Sequence, residues 1–242
     1  MYYLFFKAAA EGNRKIVEKL INKGADVNFQ NHKKATALMY ASTNNNPAIV
    51  KLLLENGAEI HRRNINGWDA LVNACFEGHS EIVKLLIAKD ANINTRYNNG
   101  HTPLMVAAAN GHKDTLEILL AEGANIDAPD NNGWTALMNA VQFGHHDIVK
   151  ILINQGADIN IKDDMGWGAL LVAISQENIL LVEYLIEKGA QVDDENEFGV
   201  NALQLAAYYN YKKIIKILVE NRAPITENKN LSGYTASQKR AG

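Results

Sequence analysis

Cysteine is nearly absent: the 242-residue chain has one, Cys75. A lone thiol rules out an internal disulfide and a cysteine-built structural zinc site. It fits a reducing compartment, although a cysteine-poor exported protein would read the same way. No apolar run approaches the roughly 20 residues that cross a bilayer, and the opening Leu4-Phe5-Phe6 is interrupted at once by Lys7, so neither a membrane span nor a signal peptide is predicted. An excess of basic charge is missing too. The net charge is -3, which argues against a nucleic-acid partner, since such proteins carry a basic face. Strand-like alternation is scarce, so no glycine-rich phosphate loop follows a strand. These absences leave a soluble, cytoplasmic chain with no predicted cofactor.

What is present is a period. The pair Gly24-Ala25 returns at Gly57-Ala58, Asp90-Ala91, Gly123-Ala124, Gly156-Ala157, Gly189-Ala190 and Arg222-Ala223, and every step is 33 residues. A second series, Gly67, Gly100, Gly133, Gly166 and Gly199, keeps the same step, with Lys34 in the slot before it; at Gly233 the period slips by one. The units are 1-33, 34-66, 67-99, 100-132, 133-165, 166-198 and 199-232, followed by a partial C-terminal cap at 233-242.

Residues 100-132 serve as the specimen. Thr102 caps a helix with Pro103 in its first turn, where a missing N–H costs nothing. Ala107, Ala108 and Ala109 permit close approach to a neighbour, and Asn110-Gly111 ends the helix. A second helix runs through Leu116, Ile118, Leu119 and Leu120, apolar over so wide an arc that it is buried on several sides. Gly123 stops it, and Asp130-Asn131-Asn132-Gly133 supplies turn residues that tolerate positive φ.

A 33-residue helix pair carrying Thr102-Pro103-Leu104, Gly111-His112, Leu119-Leu120 and Gly123-Ala124-Asn125-Ile126 resembles the ankyrin repeat. Thr135-Ala136-Leu137, Gly144-His145 and Gly156-Ala157-Asp158-Ile159-Asn160 repeat the match. The resemblance implies an all-α fold: a single ankyrin-repeat solenoid over 1-242, with stacked helix-turn-helix units and projecting hairpin-like loops. One departure is systematic. The family's Thr-Pro-Leu-His tetrapeptide lacks its His, and Met39, Val72, Met105, Met138, Leu171 and Gln204 stand there instead. The first unit lacks the glycine-threonine loop and reads as an N-terminal cap; its Tyr2-Tyr3-Phe5-Phe6 cluster suggests either an upstream segment or a self-contact.

Catalytic and metal readings fail on spacing. His79, His112 and His145 recur at one position of successive units, about 10 Å apart if helices pack normally, whereas zinc ligands lie about 2 Å from one ion. Cys75 aligns with small residues of the close-packed first helix and reads as a buried hydrophobe. Asp163-Asp164 and Asp193-Asp194-Glu195 fall in loops and read as surface charge without raised pKa values. No catalytic or metal residue is assigned, and the chain is not expected to be an enzyme.

The resemblance implies that loop tips and the ends of the first helices form a concave binding face. After each loop glycine slot stand Ala35, Trp68, His101, Trp134, Trp167 and Val200. Met165 and Phe198 precede two of those glycines, and Phe76, Phe143, Tyr208 and Tyr209 lie near the ends of first helices. Each tryptophan has two open readings, a partner anchor or packing on the adjacent loop. Clustered exposed aromatics favour the first, since interaction surfaces concentrate them.

Charge divides along the chain. Residues 1-121 hold 14 Lys+Arg against 11 Asp+Glu, a balance of +3, while 122-242 hold 10 against 16, a balance of -6. Lys33, Arg62, Arg63 and Arg96 mark the loops of the first part, and Asp164, Asp194, Glu195 and Glu197 those of the second; a ligand of opposite polarity would be oriented by that field. The partner expected is a protein or peptide, bound by a monomer. The alternative is the regulatory or targeting part of an enzyme, an inhibitory subunit or a piece of a multidomain protein, with a bacterial protein acting on a host as a third reading. Asn28, Asn94 and Asn160 occupy positions that asparaginyl hydroxylases modify in the family the chain resembles.

Overall fold

The computed structural model describes residues 1-221 and 223, so the step at Arg222 and the partial cap at 233-242 lie outside the described residues. Fourteen helices appear among the described residues, and none is long and apolar enough to cross a membrane. Their contacts group into two compact units, Met1–Asp130 and Asn131–Gly242, although the sequence period runs on unbroken.

The first compact unit holds four helix pairs: α1 (Tyr2–Ala10) with α2 (Arg14–Asn22), α3 (Ala37–Thr43) with α4 (Pro47–Glu55), α5 (Ala70–Glu77) with α6 (Ser80–Ile87), and α7 (Pro103–Ala109) with α8 (Lys113–Ala121). Its first helices pack in series, α1 on α3, α3 on α5 and α5 on α7. The second holds α9 (Ala136–Gln142) with α10 (His146–Asn154), α11 (Ala169–Ser175) with α12 (Ile179–Glu187), and α13 (Ala202–Tyr208) with α14 (Lys212–Glu220), and there α9 packs on α11 and α11 on α13.

The core is the period made solid. Ala8, Ala41, Ala74, Ala107, Ala140, Ala173 and Ala206 are all buried on the first helices, where a larger side chain would hold neighbours apart. Leu20, Leu53, Leu86, Leu119, Leu152, Leu185 and Leu218 are all buried on the second helices. From α3 on, each first helix starts at a residue in extended conformation. Thr36, Thr102 and Thr135 accept from the amides of Met39, Met105 and Met138, satisfying a helix N-terminal donor that would otherwise be orphaned. The departure from the family tetrapeptide is partly made good. The Asn201 amide donates to Gln204 Oε1 at 3.0 Å, and the Thr102 amide reaches Met105 Sδ at 3.4 Å.

The recurring histidine is structural at two positions. His79 Nε2 lies 3.0 Å from the Thr43 carbonyl, and His112 Nε2 lies 2.7 Å from that of Phe76, so each serves the C-terminal end of the preceding first helix. Asn46 does the same in its unit, donating to Ala9 and Ala10 carbonyls. At the N-terminus Tyr2, Phe5 and Phe6 of the aromatic cluster pack within the chain, while Tyr3 is exposed. Tyr2 stacks on Phe29 at 3.7 Å between ring centroids, and Phe6 lies between Phe29 and Tyr40 at 6.2 and 5.5 Å.

Candidate binding surface

Four of the hairpins share one device. Asn64 Oδ1 accepts from the amides of Asn66 and Trp68 at 2.9 and 3.0 Å, the Asn64 amide donates to the Trp68 carbonyl, and Gly67 closes the turn with φ of +76°. Asn31, Asp163 and Asn196 do the same for Ala35, Trp167 and Val200. A short polar side chain two and four residues before the tip thus fixes where the tip backbone lies, because an Asx oxygen can imitate a backbone acceptor. Neighbouring hairpins then join through the backbone. The Ile65 amide donates to the Lys33 carbonyl, and the amides of Asp164 and Glu197 donate to the carbonyls of Asn132 and Met165. The turn glycines sit under these joints: a Cβ on Gly166 would meet Asn196 Cα at 2.8 Å.

Asn28 and Asn160 also cross-brace hairpins. Asn28 Nδ2 donates to the Gly57 carbonyl while its Oδ1 accepts from Glu59, and Asn160 makes the equivalent pair with Gly189 and Gln191. Asn94 Oδ1 accepts from Asn125.

The three tryptophans, alike in sequence, have three environments. Trp68 is half-buried and its ring lies 5.2 Å from that of Phe76, joining a hairpin tip to the end of α5. Trp134 is half-buried and its Nε1 donates to Asp163 Oδ2 at 3.0 Å. Trp167 is only 9% exposed, so packing rather than anchoring describes it, and the anchor reading does not hold there in the folded chain. The remaining candidates divide likewise. Phe76, Phe143, Phe198 and Tyr208 are exposed, Phe143 at 60%, whereas Met165 and Tyr209 are half-buried. Tyr208 meets Tyr209 edge-on at 5.1 Å, and Tyr209 stacks with Tyr211 at 5.2 Å.

Charged candidates are already engaged. His101 Nε2 lies 3.2 Å from the buried Asp130 carboxylate. Arg96 donates to the Pro129 carbonyl of the next hairpin, and the Arg63 guanidinium sits 5.6 Å above the Tyr97 ring. Lys162 pairs with Asp194 at 2.9 Å.

Asp163 departs from the surface-charge expectation, and Asp69, on which no such expectation was placed, behaves alike. Asp163 carries the hairpin bonds and the Trp134 bond, and burial pushes its carboxyl above the usual range despite those donors. Asp69, the cap of α5, is buried as well. Its Oδ1 accepts from Leu71, Val72 and the Tyr97 hydroxyl, yet desolvation again outweighs the bonds and raises its pKa. Tyr97 stands where other hairpins have Asn or Asp, so the hydroxyl reaches down to Asp69 rather than closing its own turn. Cys75 is fully buried and desolvation pushes its thiol well up, which leaves it protonated and shielded. Among the described residues no group of three or more His, Cys, Asp or Glu converges as a metal site would require.

Three surface residues of the first compact unit are not among the sequence candidates. Tyr40, Ile65 and Asn73, together with Lys33, Ala35, Met39, Thr43, Asn64 and Asn66, line an open depression of about 230 Å³ between two hairpin tips and the first helices α3 and α5. Ile65 was findable: its slot holds His32, Asn98, Asp164 or Glu197 in other units.

The sequence matches the family described as ankyrin repeats in three copies, over residues 5-97, 89-163 and 159-230. Among solved structures, the crystal structure of the human ASB11 ankyrin repeat domain is similar, with a TM-score of 0.81, 29% sequence identity, and coverage of 92% of this chain and 99% of that one. No curated protein matches.

Proposed function

This chain belongs to the ankyrin-repeat family, whose repeats are generally protein–protein interaction modules, and we propose that it is a non-enzymatic binder of a peptide or protein segment. The segment lies along the face that hairpin tips and first-helix ends share within each compact unit. The observation carrying this reading is the exposure of large aromatics on that face: Phe76, Phe143, Phe198 and Tyr208 all present ring surface to water. Core packing does not account for them, and interface anchors are drawn from such residues. Trp68 and Trp134 contribute from the tips as half-exposed partners, while Trp167 is buried.

The test is a paired measurement. Phe143→Ala and Phe76→Ala are assayed for unfolding and for capture of partners from an immobilised peptide library by the intact chain. Binding lost with unchanged stability supports the reading. Unchanged binding in both variants removes it.

A further inference from the structure

The hairpin tips of the first compact unit differ from those of the second in charge, and one of them bears a backbone cost. Residues 30-35, 63-68 and 96-101 contain Lys33, Lys34, Arg63 and Arg96 and no Asp or Glu. Lys34 sits at φ +54°, in the slot where every other described hairpin has glycine, at Gly67, Gly100, Gly133, Gly166 and Gly199. A side chain in the left-handed region costs about 1 kcal/mol that glycine avoids. Lysine brings no compensating packing, since Lys34 is exposed, and neither Lys33 nor Lys34 has an ion-pair partner among the described residues. Residues held in unfavourable backbone regions concentrate where function requires them.

Beside these two cations lies the depression between Tyr40, Thr43, Ile65 and Asn73. Ile65 is 58% exposed, an apolar side chain on a tip whose equivalents are polar, and Tyr40 is half-buried with its hydroxyl accepting from Asn31. Lys33 belongs to both features, as it lines the depression and precedes Lys34. An apolar seat with Lys33 lining it and Lys34 next in the chain, neither in an ion pair among the described residues, suits a ligand carrying one apolar side chain flanked by carboxylates. Asn66 adds a neutral amide able to bind an extended main chain, while the Asn64 oxygen is used in its own turn and the Asn73 amide donates to the Asp69 carbonyl.

We infer that the depression bounded by Lys33, Tyr40, Ile65 and Asn73 binds an acidic peptide segment, seating one apolar side chain on Tyr40 and Ile65 with its carboxylates on Lys33 and Lys34. This rests on the peptide-binding reading above and specifies its ligand. A polypeptide is favoured over a nucleic acid because the seat is apolar and small, and because the four tip cations include two already engaged, Arg63 on Tyr97 and Arg96 on the Pro129 carbonyl.

The probe is a random short-peptide library presented to the intact chain, followed by affinity measurement on the enriched peptides at low and high salt. Acidic sequences around a Leu, Ile or Phe are expected. Lys33→Gln and Lys34→Gly should each weaken them about fivefold, the upper end for one exposed charge pair, and added salt should weaken them further. Lys34→Gly gives a readout that misfolding cannot imitate, because it should raise the melting temperature while lowering affinity. Peptides that bind but are neutral or basic, or are indifferent to both lysines, overturn the inference and leave the wider reading standing. Recovery of no peptide at all overturns both. Binding of a single-stranded DNA oligomer with the same lysine dependence and greater affinity overturns the assignment of a polypeptide ligand.

Discussion

Replacing Trp167 with alanine should unfold the protein far more readily than replacing Phe143, although both are aromatics assigned by sequence to one surface. A fully enclosed tryptophan ring buries on the order of 250 Å². With Trp167 at 9% exposure, and allowing for the Cβ that alanine keeps, about 180 Å² of contact is lost, or about 4.5 kcal/mol at about 25 cal/mol per Å². That lies within the range of about 3–5 kcal/mol found when aromatic core sites are emptied. Phe143, at 60% exposure, hides so little that the same reasoning yields about 1 kcal/mol or less. Trp134 falls between, because its half-buried ring also supplies a hydrogen bond to Asp163. Urea unfolding followed by circular dichroism measures all three, with an unchanged slope required before midpoints are compared. A loss below about 1 kcal/mol for Trp167→Ala, where surface substitutions fall, would refute the packing assignment. Equal losses for Trp167 and Phe143 would refute the use of burial to separate anchors from supports.

Asp69→Asn keeps all three bonds to Oδ1 and removes a buried charge. Since burial raises the Asp69 pKa, its favourable contribution is present at low pH and is lost as pH rises above the ordinary carboxylate range, about 4; the variant should therefore equal or exceed the parent at pH 7 and lose its advantage in acid. A variant clearly less stable at neutral pH in thermal unfolding would show that the charge itself holds α5. Glu177, in left-handed conformation at the turn between α11 and α12 where Gly111 and Gly144 stand in other pairs, should gain about 1 kcal/mol on replacement by glycine, read as a higher urea midpoint. Cys75 should resist iodoacetamide in the native state and react only on unfolding; fast native labelling, measured by mass, would contradict its burial. EDTA or added zinc should leave the melting temperature unchanged, and a large metal-dependent rise would point to ligands other than His79 and His112, which are committed to backbone carbonyls.

The period, the helix pairs and the core were legible in the chain itself. Ala107, Leu119 and Thr102 recur at fixed spacing because each unit must offer the same small face, apolar ridge and cap to its neighbour, and repetition states that requirement many times over. Even Lys34 was visible as the exception in a glycine series. What repetition cannot encode is the difference between equivalent positions. Trp68, Trp134 and Trp167 share a slot and the same glycine before them, yet one leans on Phe76, one donates to Asp163 and one is buried, because exposure depends on side chains in adjoining units that differ from repeat to repeat. Asp163 looked like surface charge for the same reason: only the folded hairpin turns its carboxylate inward, where burial outweighs the bonds it accepts. The depression beside Lys33 and Ile65 likewise exists only once two hairpins and two helices are brought together, since a cavity belongs to the space between elements and no single segment of sequence contains it.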